Sequence, residues 1–205
     1  TTVTYMISDG NGGTDLGFFT VTVDPVNDAP TAATASALRF DGTDTQRVDV
    51  AHNALLSPAT DFTVEAVIST TDDTAGLHRV LRKGVGGGQT YSISVENGDA
   101  VFRADNGVQG FAINGGPVAD GLPHTISVTV EGPTNIVTIY VDGVETATQT
   151  LNGTLLQGTE TLEIGQTTAA SNQDFEGDIH EIRFFNEVPV MMLVVIVICV
   201  IVKPF

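Results

Sequence analysis

Basic side chains are scarce: eight Lys and Arg stand against 25 Asp and Glu in 205 residues, giving a net charge of −17 and a pI near 4.2. Such a balance excludes a nucleic-acid groove, which needs a basic footprint. Cysteine is almost absent as well. The single Cys199 forms no internal disulfide, so stability has to come from burial, hydrogen bonds or metal. There is no Trp and there are three Tyr, which leaves few aromatic platforms for stacking sugar rings. Helix-period segments are rare, while the 22 Gly punctuate the chain. That is the profile of many short strands joined by turns. An initiator Met and a signal peptide are lacking, as expected if the chain is a slice of a longer multidomain protein. What remains is an acidic surface suited to an extracellular or cell-surface protein, or to one that binds hard cations through carboxylates.

The organisation is legible at Val21–Pro30. Val21 and Val23 alternate as the close of a strand, and Pro25 and Pro30 then forbid its continuation as a central one. Tyr5-Met6-Ile7-Ser8-Asp9-Gly10, an alternating strand and Val26-Asn27-Asp28-Ala29-Pro30 follow in that order. Thr4–Pro30 thereby resembles the tail of the cadherin-like repeats found in tandem in large bacterial surface proteins. The resemblance implies a calcium clamp between successive domains, with Asp9, Asn27 and Asp28 at matching positions and Pro25 where the exit motif carries a ligand Asp. The alternative is that these residues only form turns, as Asn and Asp do by bonding their own backbone. An EF-hand reading of Asp9–Asp15 fails, because its twelfth position is Thr20 rather than a bidentate acid. We therefore expect residues 1–30 to be the C-terminal strands of a truncated repeat, 31–36 a linker, and 37–187 a second module.

In that module, strand patterns occur at Leu38–Phe40, Phe62–Ile68, Tyr91–Val95, Val101–Ala104, Thr125–Val130, Ile136–Val141, Val144–Ala147, Leu162–Ile164 and Ile179–Phe185. Asn97-Gly98 and Asp142-Gly143 mark hairpins, because both central residues tolerate positive φ. The expected class is all-β, a two-sheet antiparallel sandwich. Leu38-Arg39-Phe40-Asp41-Gly42, Phe62-Thr63-Val64-Glu65-Ala66, Gly121-Leu122-Pro123-His124, Ile139-Tyr140-Val141-Asp142-Gly143 and Gly177–Asn186 occur in sequence order. This set resembles the laminin G-like, concanavalin A-like family, and the resemblance implies a jelly roll. Val67 and Leu122-Pro123 stand where the family usually has Trp, and His180 where it usually has Asp.

Several residues invite chemistry. Asp41 and Asp178 flank the first and last strands of the module, which pair in this family, and would hold a structural calcium or remain solvated turn acids. Glu176-Gly177-Asp178-Ile179-His180-Glu181 fits the Glu-x-Asp-x-x-Glu strand motif of laminarinase-type glycoside hydrolases. Glu176 and Glu181 differ in parity, however, and share a face only across a bulge. The four histidines show no short metal-ligand spacing. Asn152-Gly153-Thr154 is a glycosylation sequon, meaningful only in a eukaryotic secretory route.

Val190–Val202 is an apolar run of thirteen residues, short of the roughly 20 that span a membrane. Residues 188–205 are expected to lie outside the fold, with membrane contact only if this tail is a genuine anchor. The leading expectation is a noncatalytic carbohydrate- or protein-binding module of an exported bacterial adhesin-like protein. Its partner would be a glycan or an extracellular protein, beside neighbouring domains of the same longer chain. The alternatives are a spacer stiffened by calcium and, distantly, a glycoside hydrolase.

Overall fold

The computed structural model describes residues 2–8, 14–20, 37–43, 46–57, 60–84, 90–107, 109–155, 157–167, 173–186 and 196–197. The chain divides into two units, Thr1–Ala35 and Ser36–Phe205. In the first, β1 (Thr2–Ser8) and β2 (Thr14–Thr20) form an antiparallel hairpin, in register from Thr2 opposite Thr20 to Ser8 opposite Thr14. Asp9, Asn27 and Asp28, the expected calcium ligands of the junction, lie outside the described residues.

The second unit is an antiparallel sandwich of two sheets. Its strands are β3 (Leu38–Asp41), β4 (Val48–Val50), β5 (Phe62–Ser69), β6 (His78–Lys83), β7 (Tyr91–Glu96), β8 (Asp99–Asp105) and β9 (Gly110–Pro117). They continue as β10 (His124–Glu131), β11 (Ile136–Val141), β12 (Val144–Thr150), β13 (Leu162–Ile164), β14 (Glu176–Phe185) and β15 (Ile196–Val197). Sheet one runs β12-β11-β10-β5-β14, and the far edge of β14 is shared. There β3 pairs with Glu176–Ile179, and Ile196–Val197 of the apolar tail pairs with Arg183 and Phe184. Sheet two runs β4-β13-β6-β7-β8-β9. The expected all-β jelly-roll sandwich is the observed fold. No described helix is long and apolar enough to cross a membrane.

The core follows from period two. Phe62, Val64, Ala66 and Ile68 on β5, with Ile126 and Val128 on β10, face inward and are buried. From sheet two, Tyr91, Ile93 and Val95, then Phe102, Leu162 and Ile164, meet them. Each such side chain is worth about 1.5–3 kcal/mol when fully buried. The ring of Tyr91 ties the layers, lying 5.5 Å from Phe62 and 6.3 Å from Phe184, while its hydroxyl donates to the Leu56 carbonyl at 2.7 Å. Within residues 37–187, three strands escape sequence patterning: β4, β6 and β9. In β6, Arg79, Arg82 and Lys83 interrupt the apolar signal, and a bulge between Arg79 and Leu81 breaks the alternation, so Val80 and Leu81 are both buried. In β9, three Gly and a Pro hide a strand whose Ile113 packs into the core.

Candidate ligand-binding face

If alternate residues of sheet two point into the core, the others must project from its outer face. Strand register lines these up in a single file across all six strands: Asp49, Glu163, Arg82, Ser92, Arg103 and Ala112 stand directly opposite one another in turn. Beside it runs a shorter file of Arg79, Ser94, Val101 and Asn114. Serines floor the middle of the face and arginines lie over it.

Three of the arginines have a carboxylate of their own. Arg47 meets Asp49 at 2.7 Å, and Arg82 meets Glu163 at 3.5 Å, with Thr167 donating to that same carboxylate at 2.9 Å. Arg103 grips Glu96 with a two-pronged fork of 2.7 and 2.6 Å. Ser94 also donates to Glu96, at 2.8 Å. Burial alone would raise the Glu96 carboxyl, but the hydrogen bonds from Arg103 and Ser94, and the charges of Arg103 and Arg79, hold it below the usual range.

Arg79 is different. Its Nε donates to the side-chain oxygen of Gln173 at 3.2 Å and its Nη1 to Ser92 Oγ at 2.5 Å, both neutral groups. Only 6% of the residue is exposed. Burial, then the neighbouring charges of Arg82 and Arg103, push its pKa down to about 10, against a weaker pull from Glu96. At the rim, Asn114 donates to Asp99 at 2.9 Å.

Asp41, Asp178 and the Glu176–Glu181 motif, singled out by sequence, lie elsewhere, on sheet one. Asp41 and Asp178 do come onto paired strands, Asp41 opposite Glu176 and Asp178 opposite Arg39. Asp41 Oδ1 accepts from the amide and hydroxyl of Thr43, and Asp178 pairs with Arg39 at 3.1 Å. Among the described residues, no group of three or more His, Cys, Asp or Glu side chains is arranged to hold a metal ion. A small open pocket of about 120 Å³ lies beside these strands, lined by residues including Arg39, Ser69, Thr70, Gly121, Glu176 and Asp178.

The bulge that a shared acidic face requires is present, between Ile179 and Glu181 of β14. It leaves Ile179 and Ile182 buried and turns Glu181 outward with Glu176 and Asp178. Both Glu181 oxygens are nevertheless taken by Arg183, Oε1 by Nε at 2.7 Å and Oε2 by Nη2, and Arg183 also meets Glu65 at 3.3 Å. The four histidines each have a separate partner: Lys83 for His52, Asp72 for His78, Asp142 for His124 and Ser69 for His180. The arginine face was missed at the sequence level. Its one readable signal was an arginine between two core residues in Phe102-Arg103-Ala104.

Known structures share this fold. The carbohydrate-binding module CBM40 of the Ruminococcus gnavus IT-sialidase, solved bound to α2,3 sialyllactose, superposes with a TM-score of 0.63 at 14% identity, covering 76% of this chain and 92% of that one. The SAP-like pentraxin of Limulus polyphemus gives 0.56 at 14% identity, over 74% of this chain and 76% of the other. Domains LG4-5 of the mouse laminin α1 chain give 0.56 at 16% identity, over 82% of this chain and 48% of theirs. At such identities the likeness is one of fold. Among curated proteins none matches the sequence. A family model described as the concanavalin A-like lectin/glucanases superfamily, of the laminin G type, matches residues 41–189, more than half of the chain, and the protein belongs to that superfamily.

Proposed function

We propose that the second unit is a noncatalytic recognition module that binds a glycan or an extracellular protein on the outer face of sheet two. One observation carries this reading: Arg47, Arg79, Arg82 and Arg103, four of only eight basic residues in a chain of net charge −17, gather on that face. A solvated surface gains little from concentrating like charges, whereas planar guanidinium forks over a hydroxyl floor suit directional recognition of a polar ligand. Sialyllactose bound to the R. gnavus module, which shares the fold, supports a glycan as the ligand. The Arg183 fork on Glu181 argues against hydrolysis, since it leaves neither oxygen aimed at a leaving group. In this reading the module is displayed outside a bacterial cell, next to other domains of a longer chain.

The test is a glycan array probed with the full chain, in parallel with Arg103→Ala. Retained signals should fall at least tenfold in the variant while its melting temperature changes little. A folded chain that retains no glycan and no extracellular protein, or that binds equally well without Arg103, would refute the proposal.

A further inference from the structure

We propose that the small pocket on sheet one is a second ligand site, which takes a neutral sugar residue through two neighbouring hydroxyls. It is separate from the arginine face of sheet two and stands or falls independently of it. Register builds its floor: Arg39, Asp178 and Ser69 stand directly opposite one another across β3, β14 and β5. Past Ser69 the chain leaves the sheet at Thr70-Thr71, and the loop before β10 returns beside it. There the Gly121 amide donates to the Thr70 carbonyl at 2.8 Å and closes the far wall. The enclosed space is about 120 Å³, well above the roughly 10–15 Å³ that one water requires. The pocket is also open to solvent. The side chain of Arg39 is 72% exposed and that of Asp178 30%, and Thr71 and Glu176 are exposed as well.

The lining groups are of two kinds. Some are already engaged and fix the shape: Ser69 Oγ lies 3.1 Å from His180 Nε2, and Thr70 Oγ1 donates to the Glu176 carbonyl at 2.6 Å. A site set before binding loses little ordering entropy when it fills. Others are free. The Glu176 carboxylate and the Thr71 hydroxyl make no hydrogen bond to any described residue. Arg39 gives one N–H to Asp178 at 3.1 Å, and a guanidinium has five. The pocket therefore offers a free acceptor and free donors together, and a hydroxyl is the group that both donates and accepts. One hydroxyl of a neighbouring pair would donate to Glu176 while the other accepts from Arg39. An anion would meet the uncompensated Glu176, and an ammonium would meet Arg39.

An amide-resolved NMR titration of the full chain tests this, with the methyl glycosides of mannose, galactose and glucose as neutral probes, glucosamine as a cation and glucuronate as an anion. At least one neutral glycoside should shift the amides of Thr71, Gly121 and Gly177 saturably, with a Kd of roughly 1–10 mM for so small a contact. Glucosamine and glucuronate should bind more weakly at these amides. Glu176→Gln should weaken the neutral probe at least fivefold without changing the melting temperature, because Glu176 is exposed and unbonded. Thr71→Val supplies a second variant with the same expected direction. Arg103→Ala should leave these shifts intact, even where it abolishes binding on sheet two. No saturable shift from any neutral glycoside, a charged probe binding as tightly as all three, or Glu176→Gln leaving affinity within twofold would overturn the inference. Loss of the shifts in Arg103→Ala would show that the pocket is not a separate site.

Discussion

The Nδ1 of His124 lies 2.7 Å from Oδ2 of Asp142, which clips the start of β10 to the turn between β11 and β12. On its other side, Nε2 lies 3.0 Å from Oδ1 of Asp120. A neutral imidazole donates from one nitrogen only, so both bonds require the imidazolium. Partial burial pulls the His124 pKa down, but the hydrogen bonds and charges of Asp142 and Asp120 outweigh it and hold it above the ordinary 6.5. Asp142 is held below 3.8, chiefly by the Thr125 amide and also by His124; Asp120 is held below 3.8, chiefly by the Leu122 amide and then by His124.

The sign of the pH effect follows from these directions. The histidine contribution is fully present below its unfolded pKa of 6.5 and is lost as pH rises through the higher folded value. The aspartate contributions are present above 3.8 and are lost as pH falls through their lower folded values. His124→Gln should therefore lower the melting temperature most between those limits, by on the order of 1–3 °C for so exposed a cluster. The gap to the native chain should narrow as pH rises through the raised folded value of His124. A difference independent of pH would show that the clasp is not an ion cluster.

Gly165 sits at φ +81°, and a Cβ there would lie 1.9 Å from Cε1 of Phe40. Phe40 in turn packs edge-on against Phe175 at 6.4 Å, and the Gly165 amide donates to the Val80 carbonyl at 3.0 Å. Gly165→Ala meets both a backbone cost and a rigid ring, and should lose more than about 3 kcal/mol in urea unfolding. A loss under about 1 kcal/mol would mean that the ring yields easily.

Tyr91 is wholly buried, and burial pushes its phenol far above the ordinary range, so it remains a donor at any practical pH. Tyr91→Phe keeps the contacts with Phe62 and Phe184 but strands the Leu56 carbonyl. The expected loss is about 1–2 kcal/mol, read as a lower urea midpoint with an unchanged slope.

Purified chain should release no reducing sugar from laminarin or other β-glucans above the background of Glu176→Gln. Glu181 is forked by Arg183 and Asp178 is paired with Arg39, so two of the three acids of β14 are engaged with cations on their own sheet face. Hydrolysis by the native chain that disappears in Glu176→Gln would reverse this reading.

How far such features can be read in advance depends on the range of the forces involved. The turns at Asn97-Gly98 and Asp142-Gly143 were legible because positive φ at both central residues, 54° and 82° in one and 53° and 77° in the other, is a local requirement that few residue types meet. Alternation on β5 and β10 was legible for the same reason: one face is core, the other is not. Strand β6 was not, since its arginines become tolerable only when Glu163, Ser92 and Gln173 arrive from distant parts of the chain.

By itself, the order of turns and alternating strands determined the sandwich, because φ preference and period-two burial act between neighbours along the chain. Only the tertiary structure decided where the face for a ligand lies. Asp49, Glu163, Arg82, Ser92 and Arg103 are far apart in sequence, and strand register alone brings them into one file. That Arg79 hydrogen-bonds the neutral Ser92 and Gln173 is likewise a property of that assembly, since those partners come from distant parts of the chain.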